Sequence, residues 1–183
     1  MPRVLTLLAA GFEEIEAITV IDLLRRADIN TTMVSLEKKL EVSGAHGITV
    51  RGDLMTSDVD ISGYECLFLP GGQPGTNNLK KNKQVLNWVR EFDRTNRLIA
   101  AICAAPTVLN AAGILSGRRL TSYPAEKNNF TESIYLEQVT VRDKNLLTSR
   151  GVGTAIEFSL LLVEVLRDKQ KREQLAKRIL WSA

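Results

Sequence analysis

The chain has 183 residues, 44% hydrophobic and 25% charged, proportions that suit a single globular domain over residues 1–183 with a sizeable core and argue against disorder. Its formal charge of +3 is concentrated between Arg167 and Arg178, where six bases and two acids leave the rest about neutral. No run is long enough to span a membrane, and "MPRVLTLLAAGFEE" lacks the extended apolar region of a secretory signal, so a soluble cytoplasmic protein is expected.

In chain order, "RVLTLLA" (Arg3 to Ala9) predicts a buried strand and Glu13 to Ala27 a helix with an apolar stripe at Ile15, Ile18, Ile21 and Leu24. "NTTMVSL" (Asn30 to Leu36) predicts the next strand. The segment Glu37 to Asp60 is irregular, with weak alternation around "VSGAHGITV" that suggests a small hairpin at a sheet edge. "ECLFLPGG" (Glu65 to Gly72) is a strand stopped by Pro and Gly. Lys83 to Phe92 carries Val85, Trp88, Val89 and Phe92 on one helical stripe, and Arg97 to Ile102 is again a buried strand. A helix from Pro106 to Ala112 follows, then strands in "QVTVR" and "NLLTS", and an apolar helix from Gly153 to Leu166. The basic C-terminal stretch has Leu175, Ile179 and Leu180 at roughly helical spacing; it reads as a solvated helix face, without the aromatic interleaving of a nucleic-acid surface. Apolar strands without polar alternation, separated by helices, predict an α/β fold whose parallel sheet is covered on both faces.

Ligands of open α/β sheets collect beyond the carboxyl ends of the strands, which directs attention to "AAGFEEIE", "LPGG" and "ICAAP". In "ICAAP", Ala101, Cys103 and Ala105 keep the small-x-nucleophile-x-small spacing of a tight strand-to-helix elbow, and Pro106 suits the first turn of the helix that follows. A thiol at a helix N-terminus feels the positive end of the macrodipole, so Cys103 is expected to have a depressed pKa; its alternative is an inert core thiol. Backbone amides at Gly71, Gly72 and Ala104 could form an oxyanion site. Among Glu13, Glu14 and Glu16, a carboxyl flanked by apolar residues should have a raised pKa and could share a proton with the thiol, but periodicity does not separate the three. Cys66 lies within a strand and reads as core. Neither CxxC nor a His/Cys cluster is present, so no metal site is expected and both cysteines are read as free thiols.

Taken together, "GFEEIEA", "DLLRRADI", "LPGG", "AAICAAP" and "LLTSRGVGTAIEF" resemble the DJ-1/ThiJ/PfpI superfamily, in its DJ-1/YajL-like branch, over nearly the whole chain. The resemblance implies a flavodoxin-like three-layer sandwich, a homodimer and no cofactor. It picks Glu16 from the three glutamates as the partner of a reactive, readily oxidised Cys103, with the amides of Gly72 and Ala104 on the oxyanion side. The pocket would include Tyr123, Gly151, Val152 and His46. Many relatives carry a histidine where this chain has Tyr123, and an unperturbed phenol is a poor base near neutrality, which weakens any cysteine amidase or peptidase reading. Relatives tend to have arginine near the dimer interface in place of His46, which is read first as an ordinary surface histidine and otherwise as one approaching a neighbouring active site, and proline in place of Val152. The activity implied is of the glyoxalase or deglycase type on small dicarbonyls or glycated substrates; a redox sensor or redox-regulated chaperone built on oxidation of Cys103 is the alternative.

Overall fold

The apolar runs become strands of one seven-stranded sheet in the computed structural model, which describes residues 1–182. In chain order the elements are β1 (Arg3–Leu8), α1 (Glu14–Arg26), β2 (Asn30–Ser35), β3 (Glu41–Ser43), β4 (Thr49–Arg51), β5 (Leu54–Met55), β6 (Cys66–Leu69), α2 (Gly75–Lys81) and α3 (Lys83–Arg94). They continue with β7 (Leu98–Ile102), α4 (Pro106–Ala111), β8 (Arg119–Leu120), β9 (Ile134–Tyr135), β10 (Thr140–Asp143), β11 (Leu146–Ser149), α5 (Ala155–Leu166) and α6 (Lys169–Arg178). The sheet runs β10-β11-β7-β6-β1-β2-β5, and only β10 is antiparallel to its neighbour.

Side chains alternate across a strand, and here that period of two sorts the core into two faces. Val4, Phe68, Ala100 and Ile102 pack toward Val20 and Leu24 of α1 and Phe158 and Leu162 of α5. Leu5, Leu67, Leu69 and Ile99 pack the other way, toward Val85, Val89 and Phe92 of α3 and Leu109 of α4. Helices therefore cover both faces of a mostly parallel sheet, the α/β sandwich that the sequence predicts. Cys66 lies fully buried in the first of these faces, where burial pushes its thiol far above the ordinary range.

Several details differ from the sequence reading. The stripe on α1 is rotated: Ile15 and Ile18 are 54% and 40% exposed, while Glu14 and Glu16 point inward. The hairpin of β3 and β4 forms its own two-stranded sheet, and β5 takes the edge of the main one. The helix α2 and the short parallel pair of β8 and β9 have no forecast in the sequence. The basic C-terminal helix buries Leu175 and matches several of its charges, with Lys171 2.6 Å from Asp28 and Arg172 2.7 Å from Glu164. Among the described residues no helix is long and apolar enough to cross a membrane.

Register places the carboxyl ends of three neighbouring strands at one level. Leu69 pairs with Ala101, and Ile102 with Ser149, so the residues that follow β6, β7 and β11 emerge side by side. At the opposite end of the sheet Arg118 ties the layers together: its guanidinium reaches Asp143 and Asp93, both at 3.2 Å, and Asn145 at 2.9 Å. Asp143 is nearly buried, so removing its cation leaves a poorly solvated charge. Arg118→Ala is expected to destabilise the fold by about 3 kcal/mol in urea unfolding, with the transition midpoint lowered and its slope unchanged. A change below about 0.5 kcal/mol would show the network to be a surface ornament.

Candidate active site

The elbow after β7 places Cys103 where its backbone adopts φ 63°, in the left-handed region that non-glycine residues occupy at a cost of about 1 kcal/mol. Neighbouring backbone holds it there: the Cys103 N–H donates to the Ser149 carbonyl at 3.0 Å, and the Cys103 carbonyl accepts from the Tyr123 N–H at 2.8 Å. Small residues on either side, Ala101 and Ala105, are fully buried and allow this close packing. The thiol itself is half-buried at the base of a cavity of about 490 Å³.

Glu16 enters from the first turn of α1. Its side chain is fully buried, and Oε2 accepts a hydrogen bond from the Gly71 N–H at 2.9 Å. The Gly71 carbonyl in turn accepts from the Glu13 N–H at 2.9 Å, so residue 71 grips the start of α1 from both sides. Oε1 finds no well-formed hydrogen bond among the described residues. It shares the cavity with the thiol: a point one Cβ away from Gly151 is 3.8 Å from both Cys103 Sγ and Glu16 Oε1.

The electrostatics follow from this placement. Burial pushes the Glu16 carboxyl up to about 7, against the pull of the Cys103 thiol and of the Gly71 N–H. Burial also pushes the Cys103 thiol up, and the Glu16 charge beside it acts in the same direction; the amides of Ala104 and Gly72 pull it down. The sequence expectation of a depressed thiol pKa is therefore reversed. The helix α4 is only 6 residues long, and its dipole does not outweigh desolvation together with a neighbouring carboxylate. The two acids are coupled, because a charge on either one raises the cost of ionising the other.

The cavity brings together Cys103, Glu16, Tyr123, Gly151 and Val152, with Glu13 and Arg150. Tyr123 and Val152 are 50% and 42% exposed at its mouth. Ala104 and Gly72 contribute through their amides at the sulfur, and Gly72 needs its positive φ of 90°. His46 is exposed, as an ordinary surface histidine would be. It lies in the loop between β3 and β4, outside the cavity lining, where Nδ1 is 2.9 Å from Glu14 and 3.6 Å from Glu13. Glu14 also accepts from the N–H groups of His46, at 2.7 Å, and Ile48, at 3.3 Å. Glu13, Glu14 and His46 bring one potential metal-ligand atom each within 4.8 Å of one another, but the Glu14 carboxylate is already taken by these three donors. Arg150 escapes the sequence reading although it directly follows a strand, the position that had singled out Cys103.

Comparison with known proteins gives the same grouping. A model of the DJ-1/PfpI family matches residues 2–165. Protein dj-1beta of Drosophila melanogaster is 40% identical over 181 residues, covering 96% of this chain and 95% of that protein. The glutathione-independent glyoxalase DJR-1.2 of Caenorhabditis elegans is 34% identical over 167 residues, covering 90% and 88%. The chain spans less than half the length of DJ-1 homologs A and B of Arabidopsis thaliana, 46% and 41% respectively. Among solved structures, Drosophila DJ-1beta superposes with a TM-score of 0.96 at 38% identity, covering 100% of this chain and 99% of that one. An oxidised DJ-1 of Toxoplasma gondii does so with 0.95 at 33%, covering 100% of both chains. With the elbow cysteine, the buried glutamate and the sheet order all in place, the chain belongs to the DJ-1/PfpI family.

Proposed function

We propose that this protein is a cofactor-independent enzyme acting on small reactive carbonyls, α-oxoaldehydes such as methylglyoxal and the adducts they form, with Cys103 as nucleophile and Glu16 as proton shuttle. The observation that carries this reading is a half-buried thiol beside a buried carboxyl whose pKa is raised to about 7. A carboxyl poised near neutrality can give and take a proton at similar cost, which a shuttle needs. Moving the thiol proton to Glu16 leaves the sulfur as thiolate, the form that attacks carbonyls.

The step balances within the substrate. Sγ adds to the aldehyde carbon and the carbonyl oxygen takes a proton, giving a hemithioacetal. Glu16 removes the proton from that carbon and returns one to the adjacent carbonyl carbon, while the proton of the hemithioacetal hydroxyl passes to the ketone oxygen. The aldehyde carbon is thereby oxidised to a thioester as the ketone is reduced to an alcohol. Water then cleaves the thioester to lactate and restores the thiol. The amides of Gly72 and Ala104, which already lean on the sulfur, stabilise charge on oxygen beside it. The name of the Caenorhabditis relative supports this class of activity. The homodimer implied by the family would be supported by Ile15 and Ile18, exposed apolar residues on α1.

A second reading uses the same atoms without turnover. Oxidation of Cys103 to a sulfinate would place oxygens where the Gly72 and Ala104 amides and a protonated Glu16 can hold them, and the oxidised state of the Toxoplasma neighbour favours considering it.

Purified protein is expected to form lactate from methylglyoxal slowly. Cys103→Ala should abolish formation and Glu16→Gln should reduce it by about a hundredfold or more. Equal lactate formation by Cys103→Ala sinks the enzymatic reading, and selective sulfinate formation without turnover leaves the sensor.

Stability gives an independent check on Glu16. Its folded pKa of about 7 lies above the ordinary 4.5, so the folded state holds the proton more tightly than the unfolded chain. That contribution is fully present below the unfolded value and is lost as pH rises through the folded one. Glu16→Gln should therefore gain on the wild type as pH is raised from about 4 to 8, by at most roughly 3 kcal/mol in urea unfolding. A difference that stays flat with pH would show that Glu16 ionises freely.

A further inference from the structure

We propose that Arg150 reads an anion, so that the carbonyl compounds best suited to this cavity carry a carboxylate several bonds from the reacting carbon. The proposal rests on Cys103 being the reacting atom and adds the substrate class.

The main chain around Arg150 is fixed. Thr154 Oγ1 meets Ser149 Oγ at 2.7 Å, accepts from the Gly151 N–H at 3.0 Å and donates to the Gly151 carbonyl at 2.8 Å, so the residues on both sides of Arg150 are tied to one hydroxyl. Arg150 lines the cavity that holds Cys103, yet among the described residues its guanidinium makes no hydrogen bond and no ion pair. The charges that feel it most clearly, Lys127 and Glu137, are already matched to each other at 2.9 Å. Among the described residues no carboxylate lies within ion-pair distance of it, and the pull of Glu137 is felt only from farther off.

Glu13 lines the same cavity with the opposite sign, and its charge raises the Glu16 carboxyl further. An anionic group is repelled from the Glu13 and Glu16 side and attracted to Arg150. A guanidinium is suited to this task, because its planar fork matches a carboxylate in two parallel hydrogen bonds. A ligand with a carbonyl at one end and a carboxylate at the other is thereby oriented with its electrophilic carbon toward the sulfur. Methylglyoxal, with no charge to offer, uses only half of this arrangement.

Two measurements test the assignment, one of which needs no turnover. Alkylation of Cys103 by iodoacetate and by iodoacetamide, followed by intact mass, compares an anionic with a neutral reagent of similar size. The ratio of the two rates should fall about fivefold or more in Arg150→Ala, be largely kept in Arg150→Lys, and fall in the wild type as salt is added. A ratio that is the same in the wild type and Arg150→Ala overturns the proposal.

The second measurement compares turnover of an α-oxoaldehyde bearing a terminal carboxylate two methylenes from its ketone with turnover of its methyl ester. The wild type should favour the acid in kcat/KM by about tenfold, and Arg150→Ala should favour neither. Turnover of methylglyoxal without any preference for the acid removes Arg150's role and leaves the carbonyl reading standing. An alkylation ratio that depends on Arg150, with no turnover of any oxoaldehyde, does the reverse.

Discussion

Glu16 reaches Cys103 because residue 71 has no side chain. A Cβ there would lie 2.6 Å from both Cys103 Cβ and Glu16 Oε2, and 3.0 Å from the Ile102 carbonyl. Those distances leave no room for relief, since one neighbour is the backbone of the central strand β7 and another is the Cβ of Cys103. The glycine thus sets how closely three elements meet: the start of α1, the end of β6 and the elbow after β7. Its N–H and carbonyl then fix the approach, the first holding Glu16 and the second the Glu13 amide. The raised acid, the half-covered sulfur and the two amides that lean on it all follow from that approach.

The sequence made the elbow legible because a nucleophile turn needs several cheap residues at once: a buried strand, alanines on both sides and a proline to open the helix. The central strands were legible because β1, β6, β7 and β11 are buried on both faces and read as largely apolar runs without polar alternation. Helical periodicity on α1 was misleading. It placed Ile15 and Ile18 in the core stripe, whereas they are exposed beside Glu14 and Glu16, which are buried. Counting apolar residues assigns a burial cost to every carboxyl, and that cost is offset here by backbone donors from distant segments, Gly71 in one case and His46 and Ile48 in the other. No local pattern contains those partners. The helix α2 was lost for a related reason: "GTNNLKK" has a single large apolar residue, and Leu79 alone anchors it in the core.

The thiol shows where a local argument fails by omission. A helix dipole contributes at most a kcal/mol or two, and only near the first turn. Desolvation of an anion and a second acid in the same cavity act on the same scale or larger, and both oppose ionisation. The elbow therefore does not yield a free-standing thiolate. It yields a sulfur whose ionisation is coupled to that of Glu16. Such a site is sensitive to any change that alters the cavity's polarity.

Glu14 and Glu16 are separated by one residue on one helix, and their fates differ because of what each finds when buried. Burial pushes the Glu14 carboxyl up, but the His46 side chain and the amides of His46 and Ile48 overcome it, and its pKa ends below the ordinary value. It stays a carboxylate and fastens the loop between β3 and β4 to α1. Glu16 receives one well-formed backbone donor and keeps a bare Oε1, so burial wins and its pKa rises. An acid satisfied by three donors has no reason to exchange its proton near neutrality; an acid left one partner short does. The deficit that lowers the fold's stability as pH rises through 7 is therefore the same deficit that keeps the Glu16 proton exchangeable near neutrality.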